Sequence, residues 1–388
     1  MEGSIGNFLK KYTMLLALIL VIVFFSVATG GKILYPQNIN NLISQNGYVF
    51  VLAAGMLCCI LTGGNIDLAV GSVVCFVGGI GAVMMQKGIN CWLAVLVMLV
   101  IGLAIGMFQG YWIAWVSVPP FIATLAGMYA FRGLSNVVLG GYAVAISDTT
   151  FLNVFGGGAD CYIPDFLGGG KLNLFCLLVA VIIAVLYVIL SFRKMAVRKK
   201  KGIGHGNPTG QIISTLLIAA VVVWLGFTLA RYKGIPTVLI WIAAVLFIYD
   251  YITKNTAIGR YLYAVGGNEK ATRLSGINTK KVYFLAYANM GFLAALAGIL
   301  TVARASSAQP TYGQGYEMDA IAACFVGGAS AYGGVGSMAG VVIGAVLMGV
   351  INQGMSIMGV SANYQKVVKG IVLLVAVMFD VLSKKQKK

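Results

Sequence analysis

Runs of about twenty apolar residues recur along almost the whole chain, and they constrain its fold more than any other feature. They cover residues 12–29, 40–62, 68–86, 91–117, 121–139, 173–192, 211–230, 236–252, 282–303, 317–331, 338–357 and 365–382. In lipid a backbone polar group finds no water, so each run must satisfy its own hydrogen bonds and is expected to be helical. Only 10% of the residues are charged and 60% are hydrophobic, whereas a soluble domain carries about 25% charged residues. The expected fold is all-α: a polytopic integral membrane protein of about 10–12 transmembrane helices, forming a single membrane domain over residues 1–388. The segments 121–139 and 317–331 are short or glycine-rich and read as partial helices.

The formal charge of +17 invites a nucleic-acid reading, but its distribution excludes one. Of the 27 Lys and Arg residues, 18 fall in four clusters: Lys10/Lys11, Arg193–Lys201, Lys254–Lys281 and Lys384–Lys388. Each cluster borders an apolar run, as cytoplasmic loops do under the positive-inside bias, and none interleaves with aromatic residues as a nucleic-acid groove requires. Counting twelve crossings from a cytoplasmic N-terminus places all four clusters, and the C-terminus, on the cytoplasmic side. The first run looks like a signal sequence, but no A-x-A-type site follows it, so an uncleaved first helix is expected. Three regions interrupt the pattern. Residues 140–171 are an outer loop with Asp148, Asp160 and Asp165 against Lys171, open to reading as a docking surface or as a solvated loop. Residues 193–210 are a basic cytoplasmic loop, and 253–281 a cytoplasmic segment.

The chemistry that is missing narrows the function. No G-x-x-x-x-G-K-[ST] phosphate cradle occurs, so the chain has no nucleotide site of that kind. The one histidine, His205, lies in a basic glycine-rich loop, and the seven cysteines form no CxxC pair. Structural zinc, a disulfide framework and a His-dependent catalytic constellation are all disfavoured. No cofactor, metal or enzymatic activity is expected of this chain. Of ten acidic residues, only Asp67 reads as deep within the chain; a proton-driven carrier, which needs several such groups, is disfavoured, while a sodium-coupled one stays open.

Within 253–281, the stretch GGNEKATRLSGINTKK (266–281) is conspicuously polar. Asn268 can cap a helix, Glu269 suits its positive end, and Gly276 suits a left-handed stop. So short a helix is marginal in water unless it packs on something. Its candidate contact residues are Asn268, Glu269, Ala271, Arg273, Leu274, Ser275 and Gly276. Two readings stand: docking in a groove on another protein, or a solvated turn. Asn65 and Asp67 in TGGNIDLAVGS, Phe121 and Thr124 in VPPFIATLAG, and Asn352 near the end of GSMAGVVIGAVLMGVINQG are candidates for a permeation path. Each has a structural alternative. Asn65 or Asp67 can cap a helix at Leu68, Thr124 can face a neighbouring helix, and Asn352 and Gln353 can bond each other. The glycines of 336–354 suit close helix packing. Residues 63–83 and 327–346 also echo each other, with a GG pair, then VGS, then IGAV. Such repeats often mark a transport pathway.

The motifs GGNIDLAVGS, PPFIATLAGMYAFRGL, GRYLYAVGGNEKATRLSGIN, ARASSAQPTYGQGYEMDAIAACFVGGAS and YGGVGSMAGVVIGAVLMGVINQGM resemble, in order from about residue 12 to 382, the permease subunits of bacterial ABC importers for ribose, xylose, galactose and other monosaccharides. The resemblance implies an inner-membrane homodimer around a translocation path. It implies an ABC ATPase subunit that uses ATP and Mg on the cytoplasmic face, and an extracytoplasmic sugar-binding protein on the other. The stretch 268–276 resembles the coupling helix that meets the ATPase. Residues 173–252 hold three runs where shorter members have one, a layout similar to xylose-type and multiple-monosaccharide permeases. A stand-alone secondary carrier or channel for a small polar solute is the alternative.

Overall fold

The computed structural model describes residues 2–170, 172–200 and 208–385. Lys171, His205, part of the basic loop 193–210 and the last residues of the C-terminal cluster lie outside the described residues. Sixteen helices are described: α1 (Glu2–Ala28), α2 (Pro36–Gln45), α3 (Gly47–Leu61), α4 (Val70–Gln86), α5 (Cys91–Ala114), α6 (Pro120–Leu139), α7 (Thr149–Phe155), α8 (Leu174–Lys200), α9 (Pro208–Ala230), α10 (Thr237–Asn255), α11 (Ala257–Gly267), α12 (Glu269–Leu274), α13 (Thr279–Ala305), α14 (Tyr316–Val326), α15 (Met338–Ile357) and α16 (Ala362–Lys385). The only strands among the described residues are β1 (Val144–Ala145) and β2 (Ser307–Ala308), paired antiparallel with Val144 opposite Ala308.

Among the described residues, seven helices are long and apolar enough to cross a membrane: α5, α6, α10, α13, α15 and the apolar stretches of α8 and α9. They become eight if α2 and α3 form one bent span, and α4 and Met14–Ala28 are apolar but shorter. The expectation that 121–139 is a partial helix is corrected, since α6 runs a full 20 residues. The segment 317–331 is partial, because α14 has only 11 residues. At 1.5 Å per residue it covers ~16 Å of a ~30 Å hydrocarbon core.

The chain divides into two compact units. The smaller holds residues 34–41 and 162–237, built on the hairpin of α8 and α9. Ala180 packs against Gly226 across the hairpin, and Asn173 accepts the backbone N–H of Cys176 at 2.8 Å, capping α8. Asp165 accepts from the backbone N–H groups of Gly169, Leu167, Phe175 and Leu174 at 2.8–3.2 Å. These donors, Gly169 foremost, hold its carboxyl below the usual carboxylate range.

The larger unit is organised around α13, whose residues from Val282 to Ala303 are mostly buried, with Leu285 and Phe292 the exposed large apolar side chains. It packs on α3, α4 and α5. The α5 contact works because Gly102, Gly106 and Gly110 recur every four residues on one face, where the α13 backbone at Phe284, Tyr287, Ala288 and Gly291 comes close. Small residues at that spacing let two backbones approach when lipid supplies no hydrophobic drive. The glycines of α15 act alike, with Gly340 against Gly327 and Gly344 against Ala323 of α14. In the part of 140–171 that belongs to this unit, Asp148 caps α7 by accepting from the N–H of Phe151 at 2.9 Å.

A Cβ at Gly106 would sit 2.5 Å from the Tyr287 carbonyl oxygen and 2.8 Å from that of Ala288, whereas one at Gly133 would meet nothing within 4 Å. Gly106→Leu is expected to destabilise the protein by about 1–3 kcal/mol. Gly133→Ala, in a helix interior, is expected to be neutral or stabilising by up to about 1 kcal/mol. Thermal unfolding of both variants in detergent checks the contrast.

Candidate functional site

One end of the larger unit carries the short helix α12. Asn268 stands in extended backbone before it and accepts the Ala271 N–H at 3.0 Å. The helix stops at Gly276, whose left-handed φ of +83° no proline can adopt. Thr272 is its one buried residue, and its hydroxyl donates to the Asn268 carbonyl at 2.8 Å. Tyr283 of α13 donates to Glu269 at 3.0 Å. Lys270, Ala271, Arg273 and Ser275 are exposed, and Leu274 is 88% exposed. Beside α12 lies a cleft of about 650 Å³, shared with Asn65 and the Ser117–Pro120 turn.

Before α12 runs α11, a helix the sequence reading did not separate from its surroundings. Thr256 caps it by accepting the Gly259 N–H at 3.2 Å, and it buries Leu262 and Val265. The T-x-x-G cap beside an apolar i, i+3 pair was the available signal. Tyr263 donates to the Gly336 carbonyl at 2.9 Å. At its last turn Gly266 lies against the Leu61 carbonyl and the Gly334 N–H, and that N–H donates to Leu61 at 3.1 Å. The two echoing motifs therefore meet here. Loop 62–69 and loop 327–337 touch backbone to backbone, with Gly64 against Ala331 and Gly333 against Gly63. Met14 of α1 packs at Gly328, and Asp380 of α16 accepts the Ala331 N–H at 3.0 Å. The described parts of the first and last helices thus reach the end of this unit that carries α12.

The permeation candidates separate into two places. Asn65 lines the α12-side cleft and donates to the Thr62 hydroxyl at 3.2 Å. Asp67 is buried and accepts the Ala69 N–H at 2.8 Å, fixing the turn before α4, which starts at Val70 rather than Leu68. Thr124 is fully buried with its hydroxyl on the Pro120 carbonyl at 2.8 Å, while Phe121 is exposed. Asn352 lies at the opposite end, donating to Asn46 at 3.2 Å rather than pairing with Gln353.

Asp67 is not the only deep carboxylate, which corrects the sequence reading. Residues 306–315 carry no long apolar run, yet they fold back into the protein. Arg132 of α6 holds the Pro310 and Tyr312 carbonyls at 3.3 and 2.8 Å, and Gly313 meets Gly71. This turn delivers Glu317 and Asp319, at the start of α14, into the interior. Asp319 is fully buried, pairs with Lys369 of α16 at 2.9 Å and accepts the Tyr48 hydroxyl at 2.7 Å. Its polar neighbours in sequence, and an oppositely charged partner fifty residues away, hid it.

Apolar helices in number, two interhelical loops packed backbone to backbone and buried ionisable groups in the same unit define a multi-pass membrane permease. The chain belongs to the family described as the permease component of the branched-chain amino acid transport system, whose model matches residues 38–377. It is 36% identical over 380 residues to the xylose transport system permease protein XylH of Haemophilus influenzae, covering 97% of this chain and 98% of the relative. It is 34% identical to the XylH of Escherichia coli, covering 97% and 93%. To the ribose import permease protein RbsC of Escherichia coli it is 35% identical, covering 97% and 95%. No solved structure matches it. The chain is a multi-pass inner-membrane protein.

Removing one partner of the buried pair should be costly. Lys369→Met strands the Asp319 carboxylate and is expected to destabilise the protein by about 3–5 kcal/mol. Adding Asp319→Asn should recover most of that loss, as read by thermal unfolding of both variants in detergent.

Proposed function

We propose that this chain is the membrane-spanning subunit of an ATP-driven ABC importer for a monosaccharide such as xylose or ribose. Two copies would form the translocation path. An ABC ATPase would bind at the α12 end, which is then cytoplasmic along with both termini, and an extracytoplasmic sugar-binding protein would deliver substrate at the other. ATP and Mg would be held by the ATPase. The names of the xylose and ribose relatives support the substrate class.

The observation that carries the reading is the build of α12. A six-residue helix is capped, anchored through Thr272 and Tyr283, and leaves Leu274 in the open. Exposing a large apolar side chain on an otherwise polar segment has a use if a partner covers it. Force applied there has a short route inward. Through Asn268 it reaches α11, and through Gly266 and Tyr263 it reaches loops 62–69 and 327–337, which meet backbone to backbone. A displacement of α12 would shift both loops together and change access along the path.

A second reading, a gradient-driven carrier, gains from the buried Glu317 and Asp319. Asp319 is already neutralised by Lys369, however, and such a carrier gives α12 no role. The two readings separate in vesicles. The importer takes up labelled sugar only with ATPase, binding protein and ATP, while a carrier works alone on a gradient.

Gly276→Pro removes both the left-handed stop and the N–H that donates to the Arg273 carbonyl. Gly276→Pro and Arg273→Glu are each expected to abolish ATP-dependent uptake while the protein still inserts in the membrane. Normal uptake by both, in cells with confirmed membrane levels, contradicts the coupling role.

A further inference from the structure

At the end opposite α12, a pocket of about 260 Å³ opens between the last turn of α2, the start of α3, the end of α13 and the turn before α14. Ser44, Gln45, Tyr48, Arg304, Tyr312 and Tyr316 line it. Its size falls below the ~300–1,000 Å³ of drug-sized sites and suits a single sugar ring. Tyr48 and Tyr316 stack with ring centroids 3.5 Å apart and planes within 12°. Tyr312 approaches the Ser307 hydroxyl at 3.2 Å, and the Arg132 contact with the Tyr312 carbonyl fixes its backbone. The wall is thus a set of tyrosines held in place before any solute arrives.

We infer, building on the importer reading, that this pocket is a low-affinity transit subsite for one neutral monosaccharide, entered from the extracytoplasmic side. The chemistry of the lining selects that class. Hydroxyls and a side-chain amide both donate and accept, as a polyol requires, and aromatic groups offer apolar contact for the C–H face of a sugar ring. Arg304 donates to ring or hydroxyl oxygens. No carboxylate lines the pocket, so nothing there favours a cation. The nearest one, Asp319, lies beyond Tyr48, whose hydroxyl it accepts, and its charge is met by Lys369. The Tyr48–Asp319–Lys369 network therefore forms the floor, linking the pocket to α14 and α16. A sugar seated above it would contact the network that joins α3 to α14 and α16.

A transit subsite governs the rate of passage, while a separate binding protein governs capture. Two measurements test it. In Gln45→Cys permease reconstituted in nanodiscs, a membrane-impermeant maleimide should label the new thiol, because the seven native cysteines are all buried. Xylose or ribose, whichever the wild-type importer transports, should slow labelling about threefold at twice its dissociation constant, since the free fraction is 1/(1 + [L]/Kd). Leucine and sulfate at equal concentration should not. In the complete importer, Tyr312→Phe and Arg304→Met should lower maximal uptake several-fold with the half-saturating sugar concentration unchanged, at normal membrane levels and thermal stability. If the wild type transports the sugar, yet the sugar leaves labelling unchanged or leucine or sulfate protects instead, the subsite is refuted. Unaltered maximal uptake in both variants refutes it too. If the wild type with its ATPase and binding protein transports no sugar, the importer reading itself has failed.

Discussion

Everything distinctive in this protein depends on backbone meeting backbone without intervening side chains. At the α12 end, Gly64 meets Ala331, Gly333 meets Gly63, and Gly266 meets both Leu61 and Gly334. A Cβ at Gly64, Gly266, Gly333 or Gly334 would come within 3 Å of a backbone atom across the contact and force the segments apart. The Gly334 N–H completes the contact by donating to Leu61. Irregular backbone in a membrane protein is tolerable only where protein buries it, and here each loop covers the other.

The same junction connects the interior to the surface. The α11 helix rests on it and α12 follows directly, so Leu274, 88% exposed, sits on the element next to the helix that contacts both loops. At the opposite end of the larger unit the chain is closed differently, by stacked tyrosines over a buried ion pair. The buried pair is a poor source of net stability, because desolvation offsets most of its attraction.

The sequence was most legible where a single residue type has one conformational use. Asn268 and Gly276 mark the ends of α12, and both occupy the cap and left-handed stop expected of them. Apolar runs located most long helices to within a few residues, but α1 starts at Glu2 and α8 runs to Lys200, well outside runs 12–29 and 173–192, and run 40–62 is split between α2 and α3. The half-helix α14 and its carboxylates were not legible, because a run of polar residues before a helix reads as solvent loop. Only the tertiary fold, with Arg132 gripping Pro310 and Tyr312, turns it inward. Thr272 and α11 were missed for a related reason, since one buried threonine and a short apolar pair leave almost no periodic signal. Of the permeation candidates, Asn65 borders the α12-side cleft and Asn352 the far end. Thr124 and Asp67 are tied into local backbone bonds, an outcome the residue types alone left open.

The central claim is that work enters through α12 from a separate motor in the cytoplasm. Cysteine cross-linking from Leu274→Cys in the assembled transporter addresses it most directly. The account predicts a cross-link to the ATPase subunit whose yield changes when ATP is added, and no reaction with an impermeant thiol reagent applied to intact cells. Ready labelling from outside the cell, with no ATPase cross-link under any nucleotide condition, would contradict it.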